Sequence, residues 1–109
     1  MNMTQKTCST FAINIYIAGN KQVIEQTLRQ YCMDTGFCIT VTPTNYIYTG
    51  GEETGFIIGI RNYPRFPANH ETLVTRASTI AKTLMTTACQ NSCMIEYPDR
   101  TLWMSSRDD

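Results

Sequence analysis

Phe11-Ala12-Ile13-Asn14-Ile15-Tyr16-Ile17-Ala18-Gly19-Asn20 decides the fold. Phe11, Ile13, Ile15 and Ile17 alternate with Ala12, Asn14 and Tyr16. A two-residue period puts the two sets on opposite faces of a strand, one of them buried. Gly19-Asn20 ends the strand. Asn20 then predicts the N-cap of a helix over about Lys21 to Met33, because its side chain can accept from the open amides of a first turn. Ile24, Leu28 and Tyr31 form one helical stripe, and Gly36 closes the helix. A strand with one apolar face leading into an amphipathic helix predicts a sheet covered by a helical layer.

Outward from that stretch, Phe37 to Thr42 alternates again, with Phe37, Ile39 and Val41 on one side. Pro43 interrupts, and Asn45 to Tyr48 reads as a further short strand with Tyr46 and Tyr48 on one face. Thr49 to Gly55 is rich in turn residues. Phe56 to Arg61 is nearly continuous in apolar character, as expected of an interior strand. Pro64 and Pro67 forbid regular structure over Asn62 to Pro67. Asn69 predicts a second N-cap, with Glu71 at the positive end of the helix dipole. Leu73, Ala77, Ile80, Leu84 and Ala88 recur at spacings of 3 and 4 and mark a helix ending near Cys89 to Asn91. Ser92 to Tyr97, a Pro98-Asp99-Arg100 turn and Thr101 to Ser105 form a hairpin. The predicted fold is α+β, order β-α-β-β-β-α-β-β. It has an antiparallel or mixed sheet of five to six strands, with two helices on one face.

A chain of 109 residues with 42% apolar content suits one packed domain, taken as 1–109. Residues 1–10 are expected to be a flexible N-terminal segment, and 106–109 a polar tail. A net charge of zero argues against DNA, RNA or membrane-surface partners. No run of about 18 apolar residues is present. Met1 to Thr10 lacks the apolar core of a signal peptide, which predicts a cytoplasmic location. The five cysteines, Cys8, Cys32, Cys38, Cys89 and Cys93, are an odd number and predict free thiols.

Few residue patterns carry catalytic or metal chemistry. Cys89-x-x-x-Cys93 and the single His70 do not make the paired ligands a structural zinc site needs. No Gly-x-Ser-x-Gly elbow is present, and the adjacent carboxylates Glu52-Glu53 and Asp108-Asp109 read as solvated. Gly50-Gly51-Glu52-Glu53 looks like the diguanylate cyclase hairpin signature, but that domain is much longer and Thr54-Gly55 breaks the pattern. It reads as a turn. No catalytic residue, metal or cofactor is expected. Arg61 and Arg65 flank Asn62-Tyr63-Pro64, and Arg100 and Arg107 lie late in the chain. Arginine forks match phosphate oxygens, and Tyr63, Phe66, Tyr97 and Trp103 offer stacking faces. The same residues also read as surface arginines with ordinary core aromatics.

Tyr48 to Pro67 and Ile15 to Asn20 resemble the first-described class of phage Thoeris anti-defence proteins. These are sponges that sequester cyclic ADP-ribose signals. The resemblance spans about Phe11 to Tyr97. It implies tight binding without catalysis, in the host bacterial cytoplasm, by a homodimer or an assembly of dimers. It also implies a second class of ligand, the cyclic oligonucleotides of CBASS signalling. Carried onto this chain, it makes Arg61, Asn62, Tyr63, Arg65 and Phe66 the first candidate contacts, with Asp99, Arg100 and Arg107 next. The expectation is a non-enzymatic sponge for immune signalling nucleotides. Two alternatives stay open: a small enzyme degrading a cyclic nucleotide, or a protein-interaction inhibitor of a host enzyme.

Overall fold

The computed structural model describes residues 2–107; Met1 and the Asp108-Asp109 pair of the tail lie outside the described residues. The elements are β1 (Ala12–Ala18), α1 (Lys21–Thr35), β2 (Thr40–Tyr48), β3 (Gly51–Arg61), α2 (His70–Thr87), β4 (Ser92–Glu96) and β5 (Thr101–Ser105). The strands form one sheet in the order β2-β3-β1-β4-β5. Every neighbouring pair is antiparallel. The first four strands and both helices make a split β-α-β, ferredoxin-like arrangement, and β5 adds an outer strand.

The α+β class, the two helices and the antiparallel sheet are as the alternation predicts. The sheet has five strands, the lower of the expected counts, because the segments on either side of Pro43 are one strand. Pro43 sits opposite Phe56 within β2. An edge strand tolerates a proline because its outer side has no ladder to feed. The turn is shorter than its composition suggests. Tyr48 pairs with Gly51, so Thr49-Gly50 alone makes the hairpin loop, with Gly50 at φ 87°.

Local signals set the helix ends. Asn20 accepts from the amides of Gln22 and Val23, and Gly36 terminates α1 in the left-handed region at φ 70°. Asn69 caps α2 by accepting from Thr72 at 2.7 Å. Both helices cover the same sheet face. There Ile13, Ile15 and Ile17 pair with Ile60, Ile58 and Phe56, and all are buried with Ile95, Leu73, Ile80 and Leu84. Each fully buried side chain of this size stabilises the fold by about 1.5–3 kcal/mol.

Among the described residues, no helix lies over the other sheet face. Strand register aligns a row across it: Thr42, Ile57, Tyr16, Met94 and Trp103. Among the described residues, no helix is long and apolar enough to cross a membrane.

Candidate functional site: a cleft on the uncovered sheet face

The alternation that buries Ile13, Ile15 and Ile17 sends Asn14 and Tyr16 to the uncovered face. Tyr16 donates to Glu96 Oε1 at 2.9 Å, and Asn14 Nδ2 donates to the same oxygen at 3.1 Å. This pair holds the Glu96 carboxylate over β1 and β4. The hydrogen bond to Glu96 is the largest cause raising the Tyr16 pKa, followed by burial and the Glu96 charge. Tyr16 therefore stays a proton donor across the neutral range.

Glycines at Gly51, Gly55 and Gly59 share that face of β3, four residues apart. At Gly55 a Cβ would lie 2.4 Å from a Tyr46 ring carbon, and at Gly51 it would lie 2.7 Å from the Tyr48 ring. Gly55 and Gly51 thus let tyrosines of β2 lie flat across β3, while Gly59 makes room for Thr40. Tyr46 donates to the Phe56 carbonyl at 2.6 Å. Burial pushes its phenol up to about 12, the Ile17 backbone offsetting this in part and Tyr16 adding to it.

Beside these rings opens a cleft of about 380 Å³. Tyr16, Tyr46 and Trp103 supply aromatic walls, Met94 a thioether, Glu53 a carboxylate and Arg107 a guanidinium. The α2–β4 connection closes one end with Cys89, Gln90 and Asn91, beside Ser92 at the start of β4. The volume falls within the range of small-molecule sites, and the mix of aromatic surface with a few polar groups is typical of them. Aromatic faces can stack a base or hold a cation, and the guanidinium can take a carboxylate or phosphate. A larger apolar groove of about 640 Å³ adjoins it between α2 and β5, across Trp103.

The candidate contacts read from sequence divide between two places. Ala12 pairs with Arg61 while Asn14 pairs with Glu96. That register puts the Arg61–Phe66 loop and the Asp99-Arg100 turn at the same end of the sheet. Arg107 lies at the opposite end, in the cleft. Asn62 is a brace: it donates to the Ser9 carbonyl and accepts from the Ala68 amide, both at 3.0 Å. Tyr63 takes the Cys38 thiol at 3.2 Å. That contact is the largest cause raising its pKa, which neighbouring Arg61 lowers in part. Arg65 lies over the exposed Phe66 ring at 5.1 Å. Arg100 lies over Tyr97 at 4.7 Å and contacts Asp99 at 3.5 Å. Tyr97, expected as a stacking surface, is buried in the core. All five cysteines are free.

Sequence reading missed Asn14, Tyr16, Tyr46, Glu53, Met94 and Glu96 as a group. The signal was present in the polar half of each alternating strand, and in three glycines spaced by four within one strand.

No family model matches the chain, and no curated protein matches it. Two solved structures share its fold along its whole length. One is a phage SAM lyase in complex with S-methyl-5'-thioadenosine: TM-score 0.71, 14% identity, 100% of this chain and 99% of that one covered. The other is a phage SAM lyase in the apo state: TM-score 0.74, 14% identity, 97% and 98% covered. At such identity the likeness shows the fold. The expectation of a protein that is no enzyme is corrected here: both matched structures, which share the fold over nearly their full length, are named lyases. The Thoeris sponges are not among these matches. What the matches share with that expectation is a phage protein that holds an adenosine-type molecule.

Proposed function

We propose that this chain is a small lyase of S-adenosylmethionine or a close sulfonium nucleoside, working in the cleft beside Tyr16 and Tyr46. The observation that carries this reading is the end-to-end fold match to a lyase holding S-methyl-5'-thioadenosine. The composition of the cleft supports it. Such a substrate has a flat base, a sulfonium cation and an amino-acid carboxylate. Tyr16, Tyr46 and Trp103 suit the base and the cation. Arg107 suits the carboxylate, Glu53 puts negative charge in the cleft wall near the sulfonium, and Glu96 orients Tyr16 from outside it.

In the reaction the bond between sulfur and the amino-acid carbon breaks, and its electron pair passes to sulfur. S-methyl-5'-thioadenosine leaves as a neutral thioether, so the step cancels a positive charge. Aromatic walls solvate that cation less well than water does, which favours the charge-cancelling direction. The carbon fragment completes its valence within itself: its own carboxylate displaces the sulfur and closes a ring, so no external nucleophile or proton acceptor is needed. Removing a methyl donor is one small-molecule route to an anti-defence role.

The test is direct. The protein is incubated with S-adenosylmethionine in water enriched in heavy oxygen, and products are resolved by chromatography and mass spectrometry. Release of S-methyl-5'-thioadenosine with no heavy oxygen in the carbon fragment is expected. Recovery of intact substrate at every enzyme concentration refutes the reading. A cyclic ADP-ribose isomer run in parallel measures whether the cleft acts on that class instead.

A further inference from the structure

A second pocket opens at the opposite end of the sheet from the cleft. Asn62 ties the Arg61–Phe66 loop to the N-terminal segment. Its amide donates to the Phe11 carbonyl at 2.9 Å, and its carbonyl accepts from the Cys8 thiol at 3.7 Å. The loop is a tight turn. The Phe66 amide donates to the Tyr63 carbonyl at 3.0 Å, and Pro64 fixes φ between them. Segment and turn border a pocket of about 450 Å³, lined by Thr4, Lys6, Tyr63, Pro64 and Arg65.

Two of these residues are cations and none is a carboxylate. Among the described residues the ion pairs are Arg29–Glu25 and Arg100–Asp99, so neither Lys6 nor Arg65 has an acidic partner. Carboxylates at this end of the sheet are engaged elsewhere. Arg100 holds Asp99, while Asn14 and Tyr16 hold Glu96. Glu71 sits in the first turn of α2, at the positive end of its dipole. Lying over the Phe66 ring steadies the Arg65 guanidinium and leaves its N–H edge for a ligand. Tyr63 adds a donor. Its hydroxyl accepts from the Cys38 thiol. That contact raises its pKa most and nearby Arg61 lowers it only in part, so the phenol keeps its proton at neutral pH.

We infer that this pocket is a second ligand site and takes a nucleoside diphosphate, its phosphates on Lys6 and Arg65 and its base against Tyr63 and Pro64. Two cations without a carboxylate suit a multiply charged phosphate group better than a single carboxylate. An arginine fork can hold two phosphate oxygens at once. The Tyr63 ring gives a flat base stacking area, and the Thr4 hydroxyl suits a ribose. The volume lies within the range of small-molecule sites. Arg61 pairs with Ala12, whereas the cleft reaches Ala18. Six strand steps at about 3.3 Å put about 20 Å between the two sites. The inference therefore does not rest on the lyase reading.

The experiment follows backbone amide resonances of the isotope-labelled full chain as ADP is added. Shifts are expected at Lys6, Tyr63, Arg65 and Phe66. Inorganic pyrophosphate should move the same signals with several-fold weaker affinity, and adenosine at millimolar concentration should not move them. Lys6 and Arg65 are exposed, so Lys6→Gln and Arg65→Gln should fold as wild type. Each should weaken ADP binding, read from those resonances, about tenfold, as expected for one lost charge-assisted contact. Arg107→Ala, in the cleft, should leave the loop shifts unchanged. Silence at these residues in millimolar ADP, shifts confined to the cleft, or full affinity in both glutamine variants overturns the inference. So does adenosine acting as well as ADP. Pyrophosphate binding as tightly as ADP overturns the assignment to a nucleotide. Turnover is not read, so this test and the lyase test fail separately.

Discussion

Replacing Gly55 by alanine tests whether the Tyr46 ring needs a bare backbone beneath it. The added Cβ would lie 2.4 Å from Tyr46 Cε2, 2.6 Å from the Ile17 carbonyl oxygen and 2.8 Å from the Ala18 Cα. Two of these three neighbours are backbone of the central strand, so rotating a side chain cannot relieve the whole clash. Overpacking of this kind costs about 1–3 kcal/mol. Pushing the ring aside also breaks the Tyr46 hydrogen bond to the Phe56 carbonyl, a net loss of about 1 kcal/mol. The sum is about 2–4 kcal/mol, or on the order of 10–25 °C in Tm for a domain of this length. Urea and thermal melts measure it. Gly36→Ala is the control: it has open space around it and φ 70°, so backbone strain alone acts there, at about 1–2 kcal/mol. In the double variant Tyr46→Ala/Gly55→Ala, the two losses should fall short of additive by more than about 0.5 kcal/mol. A Gly55→Ala protein within about 0.5 kcal/mol of wild type would refute the reasoning.

Tyr46 also sets a pH limit. Its phenol rises from 10.0 to about 12 on folding, so its stabilisation is complete below pH 10 and is lost as pH climbs toward 12. Urea midpoints across that range should fall less steeply for Tyr46→Phe than for wild type. Asn62→Ala removes the acceptor of the Ala68 amide and the donor to Ser9. It should cost about 1–3 kcal/mol in a urea melt, leaving nucleoside binding unchanged at temperatures where the variant is folded. Tyr16→Phe removes the hydrogen bond that fixes Glu96, and Glu96→Gln keeps an acceptor there but removes the negative charge; each should lower S-methyl-5'-thioadenosine release about 10–100-fold with little change in stability. Arg107→Ala should weaken binding of S-adenosylmethionine in calorimetry about tenfold or more, consistent with a lost charge-assisted hydrogen bond. Arg65→Ala, at the other end of the sheet, should not; equal losses would move the site.

The local elements were legible because each rests on short-range chemistry. The Phe11–Ala18 alternation, the Asn20 and Asn69 caps and the Gly36 terminator all act within four residues. Pro43 was read as a break because proline removes a donor. That matters little in a strand whose outer side is unpaired, and only strand order makes β2 an edge. The site was harder to see. Arg61 and Arg65 stood out because two arginines around prolines are conspicuous in one dimension. Tyr16 meets Glu96 across 80 residues of chain, and Tyr46 depends on Gly55 in the next strand. Those relations exist only once register is fixed.

The glycines that obscured the site also explain how an uncovered sheet face persists. A bare apolar sheet face is a liability in water, and a helical layer is the usual remedy. Here Tyr46 and Tyr48 fold down over Gly55 and Gly51, covering backbone with rings whose hydroxyls find Phe56 and Glu53. Tyr16 does the same with Glu96. Each ring presents an apolar face and keeps a satisfied polar end, so the surface tolerates water and still offers stacking area. A larger residue at position 55 would cover the strand equally well and leave no flat ring for a ligand. Coverage by packed tyrosines is therefore a choice that fits binding a planar molecule, and it ties Gly55, beneath the Tyr46 ring, to the chemistry proposed for the cleft.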